Sequence, residues 1–200
     1  MAHGRAARAV LLQGRAYLDQ IAGTISEGIL VTNANLHLPD LVDAARRGVP
    51  VVLCLWERPD APPEGLPCVA VNFREAGRIA TRHLLELGHK TIGVIVGGSA
   101  SGVHAAADRG RRVPDDLSIV GITDIHLASD TRPTLTTVAI PTAEAAGLAV
   151  ELLNALREAG GRIDDAARVR TASLPRLVVR GTTAPAGERA TRRAARSRLD

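Results

Sequence analysis

The sequence is poor in aromatic residues, in lysine and in sulfur. Tyr17, Trp56 and Phe73 are its only aromatics, Lys90 is its only lysine and Met1 its only methionine. Few rings are therefore available to stack on the flat face of a ligand. The two cysteines, Cys54 and Cys68, lie in apolar runs and make no metal-binding spacing with the six histidines, which form no H-x-x-x-H pair. Metal chemistry has no support, and each cysteine reads as a small buried hydrophobe. No apolar run approaches the ~20 residues that cross a bilayer. Ala9-Val10-Leu11-Leu12 stops at Gln13, too short for a signal-peptide core, so cytoplasmic residence and no membrane partner are expected. No serine sits in a G-x-S-x-G elbow, and no serine, histidine and acid fall in an order that pins a triad. The reading is not an enzyme, with no metal and no cofactor.

What is present fits a globular chain: 46% hydrophobic and 23% charged residues. The net charge is +4, almost all of the positive charge being arginine. It concentrates only in the tail from Gly187 to Asp200, with Arg189, Arg192, Arg193, Arg196 and Arg198. A solvated, disordered terminus over residues 185–200 is expected there rather than a phosphate-binding arm.

Along the chain, short apolar runs alternate with helical periodicity. Met1 to Gly23 suggests one helix or two. Strands are expected at Gly28–Thr32, Val49–Leu55, Cys68–Val71 and Thr91–Val96. Helices are expected at Asp40–Arg47, ended by Gly48, at Arg74–Leu87, ended by Gly88, and at Thr142–Ala159, ended by Gly160-Gly161. In the last of these, Ala146, Leu148, Ala149, Val150, Leu152, Leu153 and Leu156 are taken as the core side. The proline-rich stretch from Pro59 to Pro67 reads as a surface loop, Arg162–Ser173 as a polar connection and Leu174–Thr183 as a final strand. Strands alternating with helices predict βαβ units and a parallel sheet.

The most informative stretch runs from Arg112 to Pro141. Val113-Pro114-Asp115-Asp116 is a turn signal, and Leu117–Ile122 reads as a strand of a parallel sheet covered on both faces. Gly121 lets the backbone open into the loop from Thr123 to Asp130, at the carboxyl end of a strand, where ligands sit in open α/β sheets.

Within it, VPDDLSIVGITDIHLASDTRPTLTTV resembles the signature of the lactose-repressor/galactose-repressor (LacI/GalR) transcription regulators, hP-x-D-h-S-h-h-G-[FY]-D-D, a short loop, then P-x-L-T-T-h. EAGRIATRHLLELGHKTIGVIVGG is similar to the family's helix ending in hhxLGH+xIxhI-G, and LVVRGTT to its closing L-V-x-R-x-[ST]-[ST]. The resemblance implies an α/β, parallel-sheet, periplasmic-binding-protein-like type I architecture of two lobes. After Gly98 a long portion of the family's second lobe has no counterpart, so that lobe is expected to be incomplete. The expected division is 1–97 with 139–160 for the first lobe and 98–138 with 172–184 for the reduced second.

The same resemblance implies an effector-sensing, dimerising domain of a transcriptional regulator. Its effector would be sugar-like or nucleobase-like, its partner a second copy, and DNA would be reached only through a helix-turn-helix that is not recognisable in this chain. The implied ligand-binding positions are Thr32, Asn33, Asn72, Ser99, Ser101, Thr123 and Asp124, all of types that also serve turns and caps. Three departures weigh against an intact pocket. Thr123 stands for the first aspartate of G-[FY]-D-D, Ile122 for its aromatic, and Val71-Asn72-Phe73 for V-D-N. With the second lobe too small to close a normal cleft, ligand sensing is expected to be lost. Two alternatives remain at this point. One is a stand-alone sugar-binding protein, which needs an export signal. The other is a nucleotide-binding Rossmann-like enzyme using the Gly97–Gly102 loop, whose G-G-x-x-x-G departs from G-x-G-x-x-G.

Overall fold

The computed structural model describes residues 28–32, 38–57, 65–92, 106, 108–161 and 168–186. The helical stretch before Gly23, most of the strand at 91–96, the Gly97–Gly102 loop and the tail from 187 lie outside them. The chain divides into two compact units, with boundaries at Ala70/Val71, Glu144/Ala145 and Arg170/Thr171. It therefore passes from one to the other three times.

In the first unit, apolar runs form β1 (Ile29–Val31), β2 (Val51–Trp56) and β3 (Cys68–Ala70), with helix α1 (Leu38–Arg46) between the first two. β1 pairs with β2 and β2 with β3, both in parallel. β2 opens on four successive buried apolar residues because both its faces are covered. Val51 and Leu53 join Leu41 and Ala44 of α1, Val31 and Cys68 in one core, while Val52 and Cys54 alternate to the opposite face and are also buried. Helix α1 carries Pro39 in its first turn, where a missing N–H costs nothing, and ends at Gly48 with φ +89°. There the Gly48 N–H donates to the Ala45 carbonyl and the Val49 N–H to that of Ala44, the paired bonds of a Schellman cap.

Helix α4 (Thr142–Glu158) buries Ala145, Ala149, Leu152 and Leu156. Those positions, four, three and four apart, track the 3.6-residue period. The broader core side expected from sequence is corrected here: Ala146 and Val150 are exposed, because each lies about 100° round the helix from its buried neighbour. The Arg162–Ser173 connection contains β6 (Val169–Thr171), which extends the sheet to the order β1-β2-β3-β6. Pro67, assigned to a surface loop, is buried, and its carbonyl accepts the Leu53 N–H.

The second unit contains α2 (Phe73–Glu86), β4 (Val120–Thr123), α3 (Leu127–Asp130), β5 (Thr136–Ala139) and β7 (Arg176–Val178). Its sheet order is β4-β5-β7, with β4 parallel and β7 antiparallel to β5. The expected parallel pairing holds for β4 and β5, and β7 adds an antiparallel strand beside it. Helix α2 packs on β4, β5 and β7. Helix α2 groups with the sheet whose face it covers, so the first boundary between the compact units falls at Ala70/Val71.

β4 is shorter and wetter than the doubly covered strand expected at Leu117–Ile122. Gly121 is its only fully buried residue, and Leu117 is 42% exposed. The C-terminal segment explains this, because it occupies the bonds a longer strand would have used. The Ile119 N–H donates to Thr182 O, and Ser118 Oγ exchanges hydrogen bonds with the backbone of Ala184.

Candidate functional site: a strained corner at the end of β4

At the end of β4 two consecutive non-glycine residues, Thr123 at φ +97° and Asp124 at φ +51°, take up positive-φ backbone. Each such residue costs about 1–3 kcal/mol, and threonine, branched at Cβ, is among the least tolerant. Strain of this kind persists only where surrounding contacts over-determine it. Here the contacts are specific. The Asp124 N–H donates to Thr137 Oγ1 at 3.3 Å, and Asp124 Oδ1 accepts from the Arg180 guanidinium at 2.7 Å.

Arg180 is itself held at both ends. Its backbone N–H donates to Thr136 Oγ1 at 2.9 Å, and the same guanidinium nitrogen that reaches Asp124 donates to Leu135 O at 2.8 Å. Both charged side chains are about four-fifths buried, at 20% and 18% exposure. Each therefore depends on the other to avoid an uncompensated charge.

Thr123 lies at this corner, and its hydroxyl has no hydrogen-bond partner among the described residues. Asp124 is committed to Arg180. Asn72 is a helix cap: its Oδ1 accepts the Glu75 N–H at 2.9 Å, a bond worth about 1 kcal/mol to α2. No hydrogen bond joins Asn72 to Thr123 or Asp124. Thr32 follows β1 in the first unit and is exposed. Asn33, Ser99 and Ser101 lie outside the described residues.

Sequence reasoning missed Arg180 and Thr137. The signal for Arg180 is a basic residue closing the apolar run Leu177-Val178-Val179 just before small residues. Of the aromatics named for stacking, Trp56 packs against the first unit's core. Cys54 and Cys68 are buried and free, and burial raises both thiols, Cys68 to about 11, so neither is poised as a thiolate. Among the described residues there is no group of three metal-ligating side chains, and no helix is long and apolar enough to cross a membrane.

A periplasmic binding protein-like domain matches residues 98–183, and the profile for periplasmic binding proteins and the sugar binding domain of the LacI family matches residues 10–137. The chain belongs to the LacI family. An HTH-type transcriptional regulator from the aml 5′ region of Streptomyces limosus is 30% identical to it, over 86% of this chain and 68% of the relative. That alignment runs over 248 positions against a chain of 200 residues, so the relative carries segments with no counterpart in this LacI-family domain. Catabolite control protein A of Priestia megaterium is 39% identical over 82 residues, 40% of this chain and 25% of the relative.

The fold agrees. A LacI family transcriptional regulator from Mycobacterium smegmatis superposes with a TM-score of 0.68 at 22% identity, over 85% of this chain and 84% of that one. A LacI family regulator from Enterococcus faecalis with bound ribose gives 0.69 at 17% identity, over 85% and 82%. The transcriptional regulator CelR in complex with cellobiose gives 0.69 at 22%, over 84% and 69%. This LacI-family domain is thus a partial periplasmic-binding-protein-like fold, related to ligand-sensing regulators of transcription.

Proposed function

We propose that this LacI-family domain senses a small sugar-like or nucleobase-like effector, does no catalysis, and reports occupancy to a DNA-reading segment. The observation that carries the reading is the corner at Thr123. It is a strained strand end with an unpartnered hydroxyl, in a unit joined to its neighbour by three chain passages. Ligands in open α/β sheets gather at the carboxyl ends of parallel strands. An effector that binds one conformation of the protein better than another shifts the population by that difference in affinity, which is all the signal requires. Thr123 is the described residue proposed to contact the effector. The held corner favours retained sensing over the loss that the shortened second unit implies.

A second copy of the chain is the proposed partner. Ile125 and Leu127, 54% and 46% exposed, lie two positions apart in the sequence just past the corner, and apolar side chains left in water favour burial against a partner.

Titration calorimetry of the purified chain against ribose, cellobiose and a purine nucleobase tests the sensing claim. Micromolar binding of one of them supports it, and no heat from any of the three defeats it. Sedimentation of the wild type beside Ile125→Asp tests the second copy.

A further inference from the structure

We infer that Asp124 is not an effector contact but half of a clamp whose other half, Arg180, is the positioning residue that holds Thr123 in place for the effector. The inference rests on the sensing role proposed above, and assigns within that site which group recognises and which group holds.

Thr123 and Asp124 both sit at positive φ without being glycine, so the chain left to itself would relax both to negative values. Four hydrogen bonds oppose that relaxation, and they form a closed path. Thr137 Oγ1 fixes the Asp124 N–H. Arg180 fixes the Asp124 carboxylate. Thr136 Oγ1 and Leu135 O fix Arg180 through its backbone N–H and its guanidinium. The anchors on the far side belong to Thr136 and Thr137 at the start of β5, the strand in parallel register with β4, and to Leu135 just before it.

The corner is therefore tied to its neighbouring strand by side chains where ladder bonds have ended. Cutting the path at Arg180 leaves a carboxylate four-fifths buried without its cation and removes the restraint on ψ of Thr123 and φ of Asp124. Asp124 Oδ1 is held by Arg180, whereas the Thr123 hydroxyl has no partner among the described residues and remains available. A neutral hydroxyl donates one bond and accepts up to two, so the corner suits a ligand hydroxyl or amide.

The test uses the full chain and four variants: Arg180→Met, Arg180→Lys, Asp124→Asn and Thr123→Val. One arm reads the hydrogen-exchange rate of the Asp124 amide, with the Leu152 amide of the first unit as internal reference. The other reads ribose affinity by calorimetry. Arg180→Met is expected to speed exchange at Asp124 by about tenfold or more relative to Leu152, and to weaken ribose binding by a similar factor. Arg180→Lys restores most of both, since one guanidinium nitrogen makes both side-chain bonds and an ammonium can replace it. Thr123→Val weakens ribose binding and leaves Asp124 exchange unchanged.

The inference is overturned if Arg180→Met leaves exchange and affinity within about twofold of wild type. It is overturned equally if Asp124→Asn abolishes binding while Arg180→Met preserves it, which would make the carboxylate itself the contact. A wild type that binds no ribose removes the recognition half of the inference, while accelerated Asp124 exchange in Arg180→Met still upholds the clamp.

Discussion

Thr182 serves Thr136 from 46 residues away: its Oγ1 accepts the Thr136 N–H at 2.8 Å and donates to the Ile119 carbonyl at 2.7 Å. Thr136 and Thr182 are fully buried, so both backbone groups rely on that one hydroxyl for the partner that water cannot give. Thr182→Val keeps the shape and removes both bonds. It is expected to destabilise the chain by roughly 2–5 kcal/mol, against about 1 kcal/mol for Thr182→Ser, which loses only a methyl group. Urea unfolding of the two variants decides the matter, and equal midpoints would sink it.

Two glycines are expected to respond to alanine with opposite sign. A Cβ at Gly48 meets nothing within 4 Å, yet φ is +89°, so Gly48→Ala costs about 1–2 kcal/mol through the backbone alone. Gly147 lies inside α4, also in open space and without positive φ, so Gly147→Ala stabilises by about 1 kcal/mol. Thermal midpoints moving in the same direction for both would refute this.

His83 lies on α2 with Nε2 3.0 Å from Thr183 Oγ1. Burial lowers its pKa below the ordinary 6.5, Glu86 opposing the shift and His89 reinforcing it. Because the folded value is the lower one, the neutral ring's contribution is complete above pH 6.5 and is lost as pH falls through the folded value. His83→Gln is expected to flatten the acid side of a stability profile taken between about pH 5 and 8. Profiles that stay parallel would rule the ring out.

Asp116 is expected to govern a lower window. Hydrogen bonds from the Arg112 side chain and backbone N–H bring its carboxyl from 3.8 to about 2. The folded value is again depressed, so this stabilisation is present above 3.8 and disappears as pH falls through about 2. Carboxyl carbon shifts followed by NMR give the value directly, and an ordinary titration near 3.8 would contradict the geometry.

Local backbone demands were the most legible part of this chain. Gly48, Gly88 and Gly160 all sit at positive φ, and α1, α2 and α4 stop within one or two residues of where those glycines place their ends. A cap is decided by its own few residues. Strand limits were less legible because they depend on the partner: Ser118 and Ile119 read as strand, but bond instead to Ala184 and Thr182, more than sixty residues away.

The boundary between units was hidden for a related reason. Ala76 and Ile79 announce that α2 has an apolar side, and nothing in that periodicity says which sheet will receive it. At the corner, Thr123 and Asp124 stood out as the end of a strand. Arg180, 56 positions after Asp124, carried a local signal as the basic residue closing an apolar run, but nothing in that signal named its partner, since an ion pair between remote residues leaves no pattern linking the two.

Because the chain shuttles between the units three times, neither is a contiguous stretch of polypeptide. The first sheet lacks its edge until Thr171 has been made, and the second until Val178. On a ribosome, almost the whole polymer must emerge before either half closes its hydrogen-bond ladder, so assembly waits for the last of synthesis. A stop codon or protease cut upstream of position 170 spoils both halves at once rather than releasing an intact one.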